Sequence, residues 1–391
     1  MMFLSTLLSA LVLLSLNKAD GVYQSGDTVR VYASENNVTT LVHEKVYTGP
    51  QTIKFEYADT EIGWIVDPQD FKQAIPCPKD FDKFWNKEKR KMRRLPMNAV
   101  LKEVHVEGKD NKNFICYEMT LDCVDNTPVR GYIAMPRNAK KKSLPIVVFM
   151  HAAGVSGNWC RSNPAQTMDM AAWGNGAICV DFNAFGMLND QDEQYYKDLE
   201  NGELKDYSRR PSDSPETFFF KNMYLRAVRA LDFTCTLKEW DGKRVLAYGQ
   251  SQGGAQAFAL AGLDKRVSAV VGIVPAWCNS AGSVTPAGED SWPFVFKQFA
   301  TSEQGIAVMK YFDGCNFLAR SKAKFWVEIG LMDRTCLPSA IYAGLNVCPS
   351  KDITIKPSPY RYHDEPKPRY WKEWHDTICK ERYEWINDYL K

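Results

Sequence analysis

Apolar and polar residues follow two different rhythms along this chain. In its first part they alternate at period two in short runs: Thr28-Val29-Arg30-Val31-Tyr32, then Thr52-Ile53-Lys54-Phe55-Glu56-Tyr57. Gly26-Asp27 and Thr48-Gly49-Pro50 punctuate these runs as turns do. The pattern predicts a small β-rich module over residues 20–66, serving as a packing or spacer unit or as a sugar-binding one. From Asp67-Pro68 the texture changes. Asp80-Phe81-Asp82-Lys83-Phe84-Trp85 opens a basic amphipathic helix that ends near Leu95-Pro96. Strand-like runs at 101–107, 114–123 and 129–135 predict an antiparallel start to a sheet. Pro145 to Met150 is continuously apolar, as a strand covered on both faces should be. Thereafter strands and helices alternate: a helix at 168–173, a strand at 177–180, an amphipathic helix at 223–237, a strand at 244–248 and a helix at 255–263. Strands at 267–274, 325–329 and 353–356 follow, and a long helix from Tyr370 to Leu390 closes the chain. Between them, 190–217 is polar and rich in Tyr and Asp, the texture of a surface insertion. Such alternation predicts an α/β domain over 67–391 with a doubly wound, mostly parallel sheet.

Phe3 to Leu16 is an apolar stretch of the length of a signal-peptide core, followed by Asn17, Lys18 and small Ala19, although no Lys or Arg precedes Phe3. It predicts a signal peptide over 1–19 and a secreted or periplasmic protein. No later segment offers the roughly 20 continuous apolar residues of a membrane span, so no membrane partner is expected once the signal is removed. The 391 residues are 45% apolar and 25% charged, which excludes a disordered chain. A net charge of +2 provides no electrostatic footprint for nucleic acid. Eleven cysteines, none in Cys-x-x-Cys spacing, argue against a zinc site, and the odd number leaves at least one thiol outside any intrachain pairing. Cys336 bonded to Cys348 is the pairing that would clamp the segment after Asp333. Asn37-Val38-Thr39 is a glycosylation sequon in a eukaryotic host and a polar turn otherwise.

The chemistry concentrates in Gly249-Gln250-Ser251-Gln252-Gly253. An apolar strand precedes this Gly-x-Ser-x-Gly motif and a small-residue helix follows it, the placement of a nucleophile elbow. The turn is sharp, so its flanking positions need small residues, and Gly249, Gly253 and Gly254 supply them. A serine nucleophile requires a base and an orienting carboxylate, which in this fold follow it in the order acid, then His. His363, in a loop after the last strand, has the position for the base; His375 lies inside the closing helix and is read as packing there. Asp333 ends a strand-like run and is the favoured acid. Asp313 has no strand before it, and Asp364 adjoins His363, which turns the two side chains apart. The oxyanion hole should use the N–H of Gln252 and that of Ala153, in the loop His151-Ala152-Ala153-Gly154 after the strand ending at Met150. His151 then shapes that loop and is not the base. Trp277 and Trp292 stand either in the substrate cleft or in the core.

These residues resemble the acetyl xylan esterase/cephalosporin C deacetylase family (carbohydrate esterase family 7), in particular its secreted Bacteroides-type branch. The resemblance runs from about Asp67 to the C-terminus. It is carried by Asp80 to Trp85, Arg229-Ala230-Leu231 ahead of Glu239-Trp240-Asp241-Gly242, Gly249 to Gly254, Tyr311-Phe312-Asp313 and Gly330 to Ser339. It implies the α/β-hydrolase fold, with Ser251 as nucleophile, Asp333 as acid, His363 as base, and Gln252 and Ala153 as oxyanion donors. It also implies an acetylated carbohydrate as substrate, no cofactor or metal, and assembly as a homo-oligomer. The chain departs from the family pattern in having Asn183-Ala184-Phe185-Gly186 where Arg-Gly-Gln is common, and His151-Ala152 where His-Gly is usual. The region before His363 is also longer by a couple of residues. The expected function is removal of acetyl groups from acetylated xylan or xylo-oligosaccharides. An esterase or peptidase of other acyl specificity, or an inactive carbohydrate-binding protein, would share the fold.

Overall fold

The computed structural model describes residues 12–280, 282, 291–294 and 302–391. Strands β1 (Leu13–Leu16), β2 (Val22–Tyr23), β3 (Thr28–Glu35), β4 (Val38–Val46), β5 (Gln51–Tyr57) and β6 (Thr60–Val66) build the N-terminal module. They form two three-stranded sheets, ordered β1-β3-β4 and β2-β6-β5. The period-two reading of β3 holds: Val29, Val31 and Ala33 point inward while their neighbours do not. These side chains join Leu14, Leu16, Tyr23, Ile62 and Trp64 in one apolar cluster between the sheets. Asn36 and Asn37 both take positive φ and turn β3 into β4, which leaves the sequon at an exposed hairpin tip.

Strand β1 is the end of the apolar stretch expected to serve as a signal core; residues 3–11 of that stretch lie outside the described residues. Leu13 to Leu16 pair antiparallel with Leu16's partner Val31 through Ser34 of β3. Leu14 and Leu16 are buried, and the Leu14 N–H donates to the Tyr370 hydroxyl at 2.7 Å.

The remaining strands are β7 (Val100–Val104), β8 (Phe114–Leu121), β9 (Val129–Pro136), β10 (Leu144–Met150), β11 (Ile178–Phe182), β12 (Trp240–Gln250), β13 (Ala269–Ile273), β14 (Lys324–Gly330) and β15 (Ile353–Ser358). They form one nine-stranded sheet, ordered β15-β14-β13-β12-β10-β11-β9-β8-β7. From β15 to β11 neighbours run parallel; β9, β8 and β7 add an antiparallel edge. Helices α1 (Phe81–Arg94), α2 (Pro164–Ala171), α3 (Glu193–Asn201), α4 (Phe219–Thr234) and α5 (Gln252–Leu263) lie between the strands. Trp85, Met223 and Phe258 of α1, α4 and α5 cover one face of the sheet over Ile146, Val148 and Ala247. Met168 and Ala171 of α2, with Ile386 and Leu390 of the closing helix, cover the other over Val147, Leu246 and Val271. This is the expected doubly wound, mostly parallel α/β-hydrolase sheet, with a small β-module in front of it. Every residue of β10 is buried, as its unbroken apolar run requires. The chain order reverses across β10 and β12, so the crevice beyond their carboxyl ends is where a ligand site belongs.

Three expectations change. Helix α4 spans 219–234 and is buried nearly all round, so its polar residues do not face water. Arg226 donates to the Ala184 carbonyl at 2.8 Å, Arg229 to the Leu95 carbonyl at 3.1 Å, and Asp232 receives Arg93 at 2.8 Å. Segment 190–217 is only partly a surface insertion, because Tyr196, Leu204 and Tyr207 are buried against the domain. The expected bond between Cys336 and Cys348 is absent; all eleven cysteines are free thiols. The nine-residue helix Pro338–Asn346 stands between the two. At 1.5 Å per residue it spans on the order of 13 Å, beyond the roughly 7 Å a disulfide can bridge.

The module docks beside the sheet's carboxyl end. A Cβ on Gly63 would stand 2.6 Å from the Leu331 carbonyl oxygen, so β6 and the segment after β14 pack backbone to backbone. The Gly63 N–H donates to the Pro359 carbonyl at 2.9 Å, and the Tyr362 hydroxyl to Glu61 at 2.7 Å.

Candidate active site

Strand β12 runs into Ser251 and α5 begins at the next residue. Ser251 has φ 53° and ψ −118°, a conformation that side-chain-bearing residues adopt at a cost of about 1–3 kcal/mol. Neighbouring glycines make the turn fit. A Cβ on Gly249 would lie 2.3 Å from the Gly253 backbone, and one on Gly253 would lie 2.1 Å from the Met150 carbonyl oxygen. Strand β13 and the residues after it pin the turn, since Ser251 N–H donates to the Ile273 carbonyl at 2.9 Å and Ala276 N–H to the Ser251 carbonyl at 3.0 Å.

A hydrogen-bonded chain starts at this serine. Ser251 Oγ lies 2.9 Å from His363 Nε2, and His363 Nδ1 lies 2.9 Å from Asp333 Oδ2. A carboxylate can only accept, so Nδ1 carries the proton and Nε2 is left to accept from the serine hydroxyl. Asp333 is fully buried, three residues beyond the end of β14. Its other oxygen accepts the N–H groups of Thr335 at 2.7 Å and Cys336 at 2.9 Å, which fixes the carboxylate. The imidazole keeps 21% of its surface exposed, so the chain opens to solvent at one point.

The other candidates stand apart from this chain. His375 does not pack inside the closing helix; it is exposed on a π-helical turn and stacks on Trp371 with ring centroids 5.0 Å apart. Trp374, one residue earlier, takes the buried position of that turn, and His375 falls one turn beyond the exposed Trp371. Asp313 caps the short helix after it and accepts the N–H groups of Asn279 at 3.1 Å, Ser280 at 3.0 Å and Cys315 at 2.9 Å. Burial raises its carboxyl above the ordinary range against those bonds. Asp364 is exposed at the rim of the cleft.

Ser251 and His363 open into a cleft of about 750 Å³ that Trp159, Trp173, Tyr248, Trp292 and Tyr383 line. Of the two tryptophans left open by sequence, Trp292 therefore faces the cleft, while Trp277 is wholly buried against Phe218 and Phe220. Gln252 occupies the first position of α5, where its N–H has no intrahelical acceptor. Ala153 lines the same cleft from the loop after β10. Among the described residues, Asp333, Cys336 and His363 are the group whose ligand atoms converge, within 4.8 Å of one another. Both nitrogens of His363 are already engaged, and burial, with Asp333 nearby, holds the Cys336 thiol far above its ordinary value and so protonated. That donor set does not fit a resident metal ion.

Two residues that sequence reasoning passed over shape this site. Asp181, at the end of β11, lies 2.5 Å from His151 Nε2, while the Trp159 carbonyl lies 3.1 Å from His151 Nδ1. Both ring nitrogens face acceptors, an arrangement that favours the doubly protonated ring. Burial, the largest single influence, disfavours the charged ring, but the Asp181 carboxylate and the bond to the Trp159 carbonyl together raise His151 above its ordinary value. Tyr207, from the insertion, donates to the Gln252 side-chain oxygen at 2.7 Å. No motif marks either residue; each depends on contacts across the sheet edge.

The sheet, the strained serine turn and the hydrogen-bonded Ser–His–Asp chain together define an α/β-hydrolase. Comparison with known proteins carries this one step further. The family model described as Acetyl xylan esterase (AXE1) matches residues 66–374, and the chain belongs to that family. Acetyl esterase Axe7A of Xylanibacter ruminicola is 29% identical over 298 residues, covering 74% of this chain. The chain spans only 65% of that curated relative's length. The acetyl xylan esterase from Paenibacillus sp. R4 superposes with a TM-score of 0.65 at 26% identity, over 82% of this chain and 98% of its own. Acetyl xylan esterase 1 from Thermoanaerobacterium sp. JW/SL YS485 gives a TM-score of 0.64 at 21% identity, over 83% and 98%, a likeness of fold.

Proposed function

We propose that this protein is a serine carboxylesterase that removes acetyl groups from acetylated xylan or xylo-oligosaccharides through an acetyl-enzyme intermediate. The observation that carries the reading is the chain from Ser251 through His363 to Asp333, opening into an aromatic-lined cleft. Ser251 Oγ attacks the ester carbonyl as His363 Nε2 takes its proton, and Asp333 holds the imidazole in the tautomer that can accept it. The N–H groups of Gln252 and Ala153 receive the negative charge that develops on the carbonyl oxygen. His363 returns the proton to the departing sugar hydroxyl. Water, activated by the same imidazole, then releases acetate and frees Ser251. Family membership favours acetyl as the acyl group, and flat aromatic walls suit the faces of a sugar chain.

The test is acetate release from acetylated xylan, set beside a panel of acetyl, butyryl and amide substrates. Acetyl should be preferred, and Ser251→Ala should lower kcat on the order of 10⁵–10⁶-fold while the fold persists. Preference for butyrate or an amide would overturn the acetyl assignment, and retained activity in Ser251→Ala would overturn the mechanism.

Export to the periplasm or medium belongs to the same proposal and rests on the apolar stretch from Phe3 to Leu16. No helix among the described residues is long and apolar enough to cross a membrane. N-terminal sequencing of exported protein tests it. A start after Ala19 supports the boundary read from sequence, at the loss of β1 from its sheet. An intact Met1 overturns export by cleavage.

A further inference from the structure

We propose that Tyr207 is a positioning residue for the oxyanion hole, tying together the two chain segments that supply its donors. The inference rests on the esterase reading above. The two segments come from different strands: Ala153 follows β10 and Gln252 follows β12. Pairing of Met150 with Gly249 fixes the bases of the two loops, but the donors lie beyond that pair, and a hole built from two backbone N–H groups works only if both aim at one point. The Tyr207 hydroxyl meets both segments. It donates to the Gln252 side-chain oxygen at 2.7 Å and accepts the Gly154 N–H at 3.3 Å.

The peptide unit joining Ala153 to Gly154 is held at both ends. Its N–H points to Tyr207, while its carbonyl oxygen accepts the Trp159 indole N–H at 3.0 Å. Trp159 makes that bond although 68% of its surface is exposed, so the bond and not burial holds the ring. Tyr207 itself is 7% exposed and wedged against Phe185 and Phe219, with ring centroids 4.5 and 5.4 Å away. The ring is therefore a rigid post. Its hydroxyl is the one polar atom it presents to the site, and burial raises the phenol well above its ordinary value, which keeps the donor proton in place. Segment 190–217 thus has a task beyond covering the surface: it carries the residue that registers one half of the hole against the other.

Tyr207→Phe keeps the ring and removes only the bridge. Deleting one oxyanion donor outright costs about 10²–10³-fold in kcat. A donor displaced but not deleted should cost less, so kcat on an acetyl ester should fall about 10–100-fold, with KM changed less than about 3-fold. The rate at which a fluorophosphonate probe labels Ser251 should fall in parallel, since the phosphoryl oxygen uses the same hole. Trp159→Phe, which removes the bond to the Ala153 carbonyl and also alters one wall of the cleft, should lower kcat in the same direction, with any change of KM reporting the wall. The double variant Tyr207→Phe with Gln252→Ala should lose less than the product of the two single losses. Unchanged kcat and labelling rate in Tyr207→Phe, with only a lower Tm, would overturn the proposal and leave the esterase reading standing. So would single losses that multiply fully in the double variant. An unmodified protein that neither hydrolyses esters nor takes the probe would overturn both.

Discussion

Among the described residues two His–Asp pairs with fully buried carboxylates stand out, and their surroundings suit them to different work. In His363–Asp333 one nitrogen meets a carboxylate and the other meets the hydroxyl of Ser251, which can give up a proton. In His151–Asp181 one nitrogen meets a carboxylate and the other meets the Trp159 carbonyl, which cannot. The first imidazole offers a lone pair to a hydroxyl that can give up its proton; the second has an acceptor against each nitrogen and no hydroxyl to deprotonate. Exposure separates them too, 21% for the first side chain against 1% for the second. A His beside an Asp is therefore not a base by virtue of the pair. What decides is the partner of the second nitrogen.

The largest effects should come from breaking the first pair. Asp333→Asn replaces the acceptor at Nδ1 and favours the wrong tautomer, so kcat should drop on the order of 10⁴-fold. His363→Gln should do comparable damage with stability changed by no more than about 1 kcal/mol, since the ring is partly exposed. Steady-state kinetics beside urea unfolding would show both. The second pair should respond in the opposite sense. Asp181→Asn removes the negative charge facing His151 and leaves one acceptor oxygen where the carboxylate has two, so the ring and the Asn163 N–H, 3.0 Å away at the start of α2, can no longer both be satisfied. Stability should fall by roughly 3–5 kcal/mol, the range for breaking a buried ion pair. The folded fraction should keep kcat within about 10²-fold, the scale of a shifted oxyanion loop. A kcat loss in Asp181→Asn as deep as in Asp333→Asn would erase the distinction between the pairs.

A middle-sized effect tests what holds the His363–Asp333 pair in place. Gly63 of the N-terminal module abuts the Leu331 carbonyl, two residues ahead of Asp333. Gly63→Ala forces a methyl group into that 2.6 Å gap, so the segment carrying Asp333 must move. Overpacking of this kind costs about 1–3 kcal/mol. It should also lower kcat, because the carboxylate is displaced from Nδ1, whereas Gly26→Ala, strained by a φ of 91° but with open space around its Cβ position, should lower stability and leave kcat alone. Equal kcat in both variants would mean that the module does not bear on the pair.

The first pair was legible in the sequence and the second was not, for a physical reason. Ser251 stands in a contiguous pattern of strand, small residues and helix, and the conformation it needs is dictated by neighbours within a few positions. Asp333 follows the apolar run of β14 and His363 follows the short alternating Ile353-Thr354-Ile355-Lys356, so their place at the sheet's carboxyl edge could be read from strand order. Asp181 lies 30 residues from His151, and Tyr207 lies 45 from Gln252. Neither pairing follows a period or a motif, and Tyr207 sits in a stretch whose polar composition reads as surface. Helix α4 misled in a similar way. Arg226, Arg229 and Asp232 look like a solvated face until their partners arrive from Ala184, Leu95 and Arg93. Alternation in β3 and β5 announced the module, but the parallel pairing of β2 with β6 is a long-range fact that only the fold supplies.

The smallest predicted effect is the most specific to the second pair, because it reads the charge on His151. Its folded-state value lies above the ordinary 6.5, raised by Asp181 against the cost of burial. Between 6.5 and that higher value the folded protein binds a proton that the unfolded chain has released, so stability must fall as pH rises through this window. Below pH 6.5 both states are protonated and the contribution is complete; above the folded value it is gone. The slope contributed by one such proton cannot exceed about 1.4 kcal/mol per pH unit. Unfolding free energies of the unmodified protein and of His151→Gln, measured from pH 6 to 9, isolate it. The difference between them should shrink steadily with rising pH, since the variant carries no titrating imidazole there. A difference that stays flat would mean that His151 is not charged in the fold. The contrast with His363 would then rest on access to the cleft alone, not on the protonation of the ring.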